Sequence, residues 1–273
     1  ELATLRYISI AFLFRHVYII VESLGEITKI GINCPEKKNS LNCTTAKNLS
    51  DAIDEFEQDD KSLVAVLHGI GGNFCAGYDL KDIANRISLS KKPMIAALSG
   101  YTVGAGLELA LMCDMRVIEE SAVVGVFNRR FGIPTLGGGT VRLPALIGYS
   151  RAMDMILTGR AINAEEAFSW GLANRIVACG TALGQAINLA QCLVKFPQRS
   201  MLADRASAHN ASYSSRSLEE ALQYEKDHSS HLLLEEGAEG AKKFDQGLGR
   251  HGKFYHLRPV DRTKFDEIKD DLL

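Results

Sequence analysis

Several motifs that would point directly to a function are missing from this sequence. It contains no G-x-x-x-x-G-K-[ST] loop and no G-x-S-x-G elbow, which argues against a P-loop nucleotide site and a serine-hydrolase nucleophile. None of its six cysteines form a C-x-x-C pair or a zinc-spaced cluster with histidine, so no metal is predicted. They stand at positions 34, 43, 75, 113, 179 and 192. Scattered cysteines of this kind are typical of reduced, mostly buried thiols in an intracellular protein.

The chain also lacks a surplus of basic residues. Lys and Arg total 31 against 33 Asp and Glu, and no long basic run occurs, so a nucleic-acid partner is not expected. The length of 273 residues and a hydrophobic content of 46% suffice for a sizeable core. They predict one large domain, or a domain with an appendage.

Acidic residues are absent from Leu2 to Val21, a stretch that is apolar and carries Arg6 and Arg15. Residues 1–14 therefore have two open interpretations, a targeting remnant or extension on the one hand and a first strand on the other. The charges interrupt the apolar run, so no membrane span is predicted. The basic start and the chemistry inferred below favour a mitochondrial location, with the cytoplasm and the peroxisome as alternatives.

The first half of the chain has the pattern of an α/β layer. "YIIVESLGEITKIGIN" predicts a hairpin, and the next helix is predicted to be capped by Thr44 or Thr45. Its buried face is predicted to hold Leu49, Ala52, Ile53 and Phe56. The apolar runs "SLVAVLHG" and "PMIAALSG" predict buried strands, "GLELALMC" predicts a helix, and "MRVIEE" and "AVVGVF" predict two more strands.

From Thr140 onward the pattern is mainly helical. Ser150 is predicted to cap a helix that Gly159 ends, and Asn163 with Glu166 predicts a capping box. "LANRIV" predicts a short strand, and amphipathic helices follow it. The fold class is therefore an α/β layer followed by a helical region.

Two predicted strands run directly into glycine-rich segments, residues 69–80 and 100–109. Ligands of open α/β sheets bind at this carboxyl end of the strands. Amides at the start of a helix point outward with partial positive charge, so two of them aimed at one point would stabilise a developing oxyanion. Leu109 stands where a dinucleotide loop would need its third glycine, which makes that alternative weak.

Glu108 is the one carboxylate within the apolar stretch "SGYTVGAGLELALMC". A buried carboxylate is costly unless it has partners, so its presence needs a reason. Placed in the first turn of a helix after the glycine-rich segment, it is a candidate general acid or base. The alternative interpretation is a capping residue that faces solvent.

Four ordered motifs together resemble the enoyl-CoA hydratase/isomerase family, the crotonases. They are "CPEKKNSLN", "GNFCAGYDL", "GYTVGAGLELALMCDMRV" and "FGIPTLGGGTVRLPALIG", and the resemblance extends over residues 17–250. It implies a ClpP/crotonase-like fold in which repeated ββα units form a spiral over residues 15–190. It further implies a C-terminal helical, trimer-forming region over residues 191–273, a homotrimer or hexamer, and an acyl-CoA thioester substrate with no further cofactor.

The resemblance also assigns roles to individual residues. It places the oxyanion amides at Ala76 and Ala105 and the first catalytic glutamate at Glu108. The position of the second family glutamate is Asn128, which can orient a water or a carbonyl but cannot transfer protons. Hydration or isomerisation in fatty-acid metabolism is the leading expectation. The alternatives are decarboxylation or thioester hydrolysis at the same site, or a degenerate CoA-binding protein.

The remaining predicted site residues are contacts of the substrate and of coenzyme A. They are Lys38, Ser40, Leu41, Phe74, Gly77, Tyr78, Asp79, Leu80, Tyr101, Gly104 and Phe131. Lys38 is either a phosphate contact or part of a solvated turn, and Asp79 is either a site residue or a helix cap. Arg129 and Arg130 would hold a carboxylate on the acyl group if they pointed inward; outward-pointing surface arginines are the favoured alternative.

Overall fold

The computed structural model describes residues 18–79 and 90–249. The predicted segment 1–14 and the predicted contact Leu80 lie outside these residues. Within the described ranges, no helix has the length and apolar character that a membrane crossing requires.

The N-terminal hairpin is confirmed. Strands β1 (Ile19–Leu24) and β2 (Ile27–Ile32) pair antiparallel, and helix α1 (Cys43–Gln58) buries the predicted apolar face. The predicted cap of α1 was wrong. Asn42 is the N-cap, because its backbone is extended and its side chain accepts a hydrogen bond of 2.8 Å from the N–H of Thr45.

Among the described residues, the main sheet has six strands in the order β1-β2-β3-β4-β6-β9. The strands after β2 are β3 (Val64–Gly69), β4 (Met94–Leu98), β6 (Met115–Glu119) and β9 (Arg175–Val177). From β2 onward all neighbours are parallel, so the carboxyl ends of β3 and β4 lie at one edge. Every residue of β4 is buried, as its unbroken apolar run predicts.

A second, smaller sheet contains the strand that directly precedes the helix with Glu108. It consists of β5 (Tyr101–Val103), β7 (Val123–Gly125) and β8 (Ala161–Ile162). Helix α2 (Ala105–Met112) follows β5 and is buried from Ala105 to Leu111. A helix that is apolar on all sides belongs inside a core, which explains why Glu108 is enclosed.

The buried Arg116 holds the C-terminal end of α2. Arg116 is 3% exposed, and its guanidinium donates to the carbonyls of Leu172 at 2.6 Å, Cys113 at 2.6 Å and Ala110 at 3.3 Å. The carbonyls of Ala110 and Cys113 belong to the end of α2 and need such a partner, and a cation there also complements the helix dipole. Arg116 thereby fixes the position of α2 and of the side chains that it presents.

The helices after β7 follow the predicted order. They are α3 (Gly139–Ile147), α4 (Tyr149–Thr158), α5 (Ala164–Ser169) and α6 (Ala182–Leu193). The capping box of Asn163 and Glu166 is confirmed, and Gly159 ends α4 in a left-handed conformation. The predicted Ser150 cap was wrong, because α4 already begins at Tyr149 and its N-cap is Gly148.

The described residues fall into two compact units that divide between Gln191 and Cys192. The second unit contains α7 (Gln198–Tyr213), α8 (Leu218–Ser229) and α9 (Glu236–Asp245), and α7 packs against α8. Several large apolar side chains of this unit are exposed: Leu218, Leu222, Leu233, Leu234 and Phe244.

Candidate active site

The two glycine-rich segments meet beside β5. The N–H of Cys75 donates to Tyr101 O at 2.9 Å, and the N–H of Val103 donates back to Cys75 O at 3.1 Å. Helix α2 approaches this segment so closely that a Cβ at Gly106 would lie 2.2 Å from Cys75 O. Only glycine permits that approach, which brings the start of α2 to the segment that carries Ala76.

Ala105 is the first residue of helix α2 and is 5% exposed. Gly104 turns the chain into the helix with φ 56° and ψ −124°, a conformation that favours glycine. Within residues 18–79 and 90–249, no group accepts a hydrogen bond from the Ala105 N–H. The Ala105 nitrogen lies close to the neighbouring segment, since a Cβ at Gly77 would be 3.5 Å from it.

The N–H of Ala76 is engaged within the protein. It donates to the carbonyl of Lys38 at 3.0 Å. Lys38 and Asn39 both have left-handed backbones, with φ of 52° and 58°. The buried Asn39 side chain fixes this turn, because it accepts from Cys34 N at 2.7 Å and donates to Asn73 O at 2.6 Å. The predicted partner amide of Ala105 is therefore covered by the Lys38 carbonyl in this structure.

Glu108 lies in the first turn of α2 and is 6% exposed. Its Oε1 accepts hydrogen bonds from Gly137 N at 2.5 Å and Gly139 N at 3.1 Å. Burial raises the pKa of Glu108 above its ordinary value, although the two amides and the nearby Arg142 partly offset that rise. The interpretation of Glu108 as a solvent-facing cap is thus wrong. A buried carboxyl with a raised pKa suits proton transfer.

Asn128, which the family resemblance assigns to the second glutamate position, lines the same cavity as Glu108. It belongs to a 3₁₀ turn (Phe127–Phe131) and donates from Nδ2 to Ile133 O at 3.0 Å and to Thr135 Oγ1 at 3.1 Å. Asn128, Thr135 and Glu108 line one cavity of about 10 Å³, enough for a single water molecule. Sequence reasoning missed Thr135, which carries no motif of its own and reaches the site only through the fold.

Three of the predicted coenzyme A contacts, Lys38, Tyr101 and Asp79, interact with neighbouring side chains. The Lys38 Nζ lies 4.5 Å from the centre of the exposed Tyr101 ring. Asp79 forms an ion pair with Lys37 at 3.0 Å. The half-buried Tyr78 lies next to this pair in the chain, and burial together with the charge of Glu108 raises the pKa of its hydroxyl.

The other predicted contacts are placed differently. Leu41 and Phe74 are core residues with exposures of 1% and 0%, so a contact with substrate would have to come from their backbones. Ser40 is half-buried, Gly77 and Gly104 are buried, and the Phe131 ring is 63% exposed. The roles assigned to these residues stay predictions.

The arginine pair does not point at the Glu108 cavity. Nε of Arg129 donates to Ile156 O at 3.2 Å, and Nε of Arg130 donates to Gly159 O at 3.0 Å. Both residues are exposed and neither lines the cavity. The surface interpretation of this pair therefore fits the structure, and a carboxylate clamp does not.

Comparisons with known proteins agree with the family resemblance of the sequence motifs. A family model described as enoyl-CoA hydratase/isomerase matches residues 22–247. The chain belongs to this family. The crotonase-like fold is also shown, because a crystal structure of enoyl-CoA hydratase EchA1 from Mycobacterium marinum superposes with a TM-score of 0.80 at 32% identity. That match covers 84% of this chain and 96% of the other.

Two curated relatives illustrate the spread of this enoyl-CoA hydratase/isomerase family. A probable enoyl-CoA hydratase of Rhizobium meliloti (strain 1021) is 34% identical over 65% of this chain and 76% of its own length. The human "Enoyl-CoA hydratase domain-containing protein 2, mitochondrial" is 36% identical over 56% of this chain and 59% of its own length. The chain thus belongs to an enzyme family, and its specific activity depends on the residues of its own site.

Proposed function

We propose that this family member acts on an enoyl- or acyl-CoA thioester by stabilising its enolate. The observation that carries the proposal is the free N–H of Ala105, three residues before the buried Glu108 in the same helical turn. A thioester oxygen that accepts from this N–H is held while negative charge develops on it. Glu108 then lies on the same element, in position to exchange a proton with the adjacent carbons.

In hydration, Glu108 takes a proton from water while the water oxygen bonds to Cβ. The π electrons move through Cα to the thioester oxygen, and the same carboxyl returns its proton to Cα. In isomerisation, Glu108 removes a proton from one carbon and returns it to another. Both reactions need one acid/base group, which agrees with the presence of Asn128 in place of a second carboxylate.

A panel of enoyl-, malonyl- and saturated acyl-CoAs, with Glu108→Gln beside the wild type, tests the proposal. Loss of the acid/base group is expected to lower turnover of an enoyl-CoA at least about a hundredfold. Glu120→Gln is the matched control, because Glu120 is an exposed carboxylate outside the cavity. Equal turnover by Glu108→Gln and the wild type would remove Glu108 from the chemistry.

A second candidate function is acyl-CoA binding without turnover. Two observations favour it, namely the Ala76 N–H that Lys38 O already occupies and the amide at position 128. Isothermal titration calorimetry with an acyl-CoA, run beside the activity panel, separates the two candidates. Binding with no turnover of any panel member supports this second function and contradicts the first.

Further parts of the proposal concern assembly, cofactors and location. The exposed apolar side chains of α8, α9 and the turn between them support a homotrimer or hexamer, which light scattering after gel filtration measures. We propose that the enzyme needs no metal and no cofactor beyond the CoA thioester substrate, so dialysis against EDTA, which removes divalent metal ions, leaves turnover unchanged. A mitochondrial role in fatty-acid metabolism rests on the basic N-terminal residues and on the printed name of the human relative. Imaging of the tagged full-length protein in cells tests it.

A further inference from the structure

The Asn128 side chain has a defined orientation in the cavity. Its Nδ2 donates to the carbonyl of Ile133, which can only accept, and to Oγ1 of Thr135. Both N–H groups of the amide therefore already donate hydrogen bonds within the protein, and only Oδ1 of the side chain remains to bind a ligand. That oxygen lies beside the start of α2, since a Cβ at Gly104 would be 4.0 Å from it.

Thr135 offers the complementary group. Its Oγ1 accepts from Asn128, so its own hydroxyl proton is left to donate elsewhere. In the described parts of the chain no acceptor takes that proton. Thr135 and Glu108 both lie next to Gly139. A Cβ added at Gly139 would be 2.8 Å from Thr135 Cγ2 and 3.1 Å from Glu108 Cγ.

We propose that Asn128 and Thr135 form a water-holding pair for the reaction proposed above. Oδ1 of Asn128 accepts one O–H of the water, the carboxylate of Glu108 accepts the other, and the Thr135 hydroxyl donates to the water oxygen. This arrangement leaves one lone pair of the water for Cβ. A thioester carbonyl does not fit here, because Asn128 has no N–H left to give it.

Asn128 and Thr135 have different roles in this pair. Asn128 touches the reacting water, and Thr135 is a positioning residue that holds both the Asn128 amide and the water oxygen. The step is balanced: water loses one O–H bond, an O–Cβ bond forms, the C=C π electrons move to the enolate, and the proton passes through Glu108 to Cα. Neither Asn128 nor Thr135 has to change its protonation state.

Two reactions of the same protein separate this role from a structural one. Hydration of an enoyl-CoA needs the held water, whereas exchange of the α-proton of a saturated acyl-CoA in D₂O needs only Glu108 and the oxyanion donor. Thr135→Val removes the hydroxyl at nearly constant shape, and Thr135→Ser keeps it. We expect Thr135→Val to lower the ratio of hydration to exchange at least tenfold, and Thr135→Ser to restore that ratio.

The outcomes distinguish this inference from the proposed function on which it rests. If Thr135→Val lowers hydration and exchange by the same factor, or leaves hydration intact, the water-holding pair is contradicted while the enolate chemistry stands. A wild-type protein that performs neither reaction contradicts both. If Thr135→Val does not fold, as judged by circular dichroism, Asn128→Ala is measured in its place and is expected to give the same change in ratio.

Discussion

The carbonyl of Lys38 accepts a hydrogen bond from the N–H of Ala76 at 3.0 Å. This contact occupies one of the two amides that the family resemblance assigns to the oxyanion site, while the other, on Ala105, has no hydrogen-bond partner in the described residues. The free donor is therefore the one on the same helix as Glu108. We therefore expect the thioester oxygen to bind at the start of α2.

The first prediction removes the Ala105 donor. Proline is tolerated at the first position of a helix, so Ala105→Pro deletes the N–H without breaking α2. Loss of one oxyanion donor costs about 10²–10³ in turnover, and we expect that loss for an enoyl-CoA.

Leu218→Pro is its control. Leu218 is the exposed first residue of α8, and the extended Ser217 before it suits a following proline. Activity near wild type for Leu218→Pro and a full loss for Ala105→Pro, both with unchanged circular dichroism, is the expected pair of results. An active Ala105→Pro enzyme would show that this amide does not bind the thioester oxygen.

The second prediction concerns the pH dependence of catalysis. Burial raises the pKa of Glu108, and the carboxyl must be ionised to accept a proton. The value of kcat/KM should therefore fall as the pH is lowered, with an apparent pKa above the ordinary glutamate value of about 4.3. An acid limb at or below that value, or an unchanged limb in the residual activity of Glu108→Gln, would contradict the assignment.

The third prediction concerns stability. A carboxyl whose pKa is raised on folding contributes stability below the unfolded value of about 4.3 and loses it as the pH rises through the folded pKa. Glutamine at position 108 stays neutral at every pH. The free energy of unfolding of Glu108→Gln minus that of the wild type should therefore increase when both are measured by urea titration from pH 4 to pH 8. A difference that is flat or falls with pH would contradict the raised pKa.

The fourth prediction concerns the close approach of α2 to Cys75. A methyl group at Gly106 would lie 2.2 Å from Cys75 O, so Gly106→Ala must displace the helix that carries the Ala105 N–H and Glu108. We expect a loss of about 1–3 kcal/mol in the free energy of unfolding, typical of an overpacked site, together with reduced turnover.

Gly184→Ala provides the matched comparison. Gly184 lies on the exposed face of α6 with nothing within 4 Å of a new Cβ. Alanine there should raise the free energy of unfolding by about 0.5–1 kcal/mol, because it is the better helix former. If both substitutions change stability in the same direction and by a similar amount, the close approach at Gly106 does not matter.

Local patterns in the sequence predicted much of this fold. The hairpin, the buried face of α1 and the Asn163 capping box depend on residues near one another in the chain, and periodicity reports such contacts. The apolar stretch around Glu108 favoured its enclosure, and the structure decided against the alternative of a solvent-facing cap. The cap of α1 was missed because Asn42, Thr44 and Thr45 are all good capping residues, and backbone geometry decides among them.

Contacts between distant segments set the details of the site, and the sequence could not predict them. The Lys38 carbonyl reaches Ala76 because two consecutive left-handed residues turn it there. The asparagine favours a turn here, but the sequence does not show that two successive left-handed residues aim the Lys38 carbonyl at Ala76. Likewise, the direction of the Asn128 amide depends on the carbonyl of Ile133 and the hydroxyl of Thr135, which come to it only in the folded chain.

Exchange of the α-proton of a saturated acyl-CoA in D₂O can be followed by NMR for the wild type and Glu108→Gln. This measurement tests most directly whether Glu108 transfers protons to and from an enolate whose oxygen binds the Ala105 N–H. Exchange needs no added water and no second acid/base group. The wild type is expected to exchange the proton, and Glu108→Gln to do so at least about a hundredfold more slowly. Equal exchange rates for the two proteins would contradict the assignment of the acid/base role to Glu108.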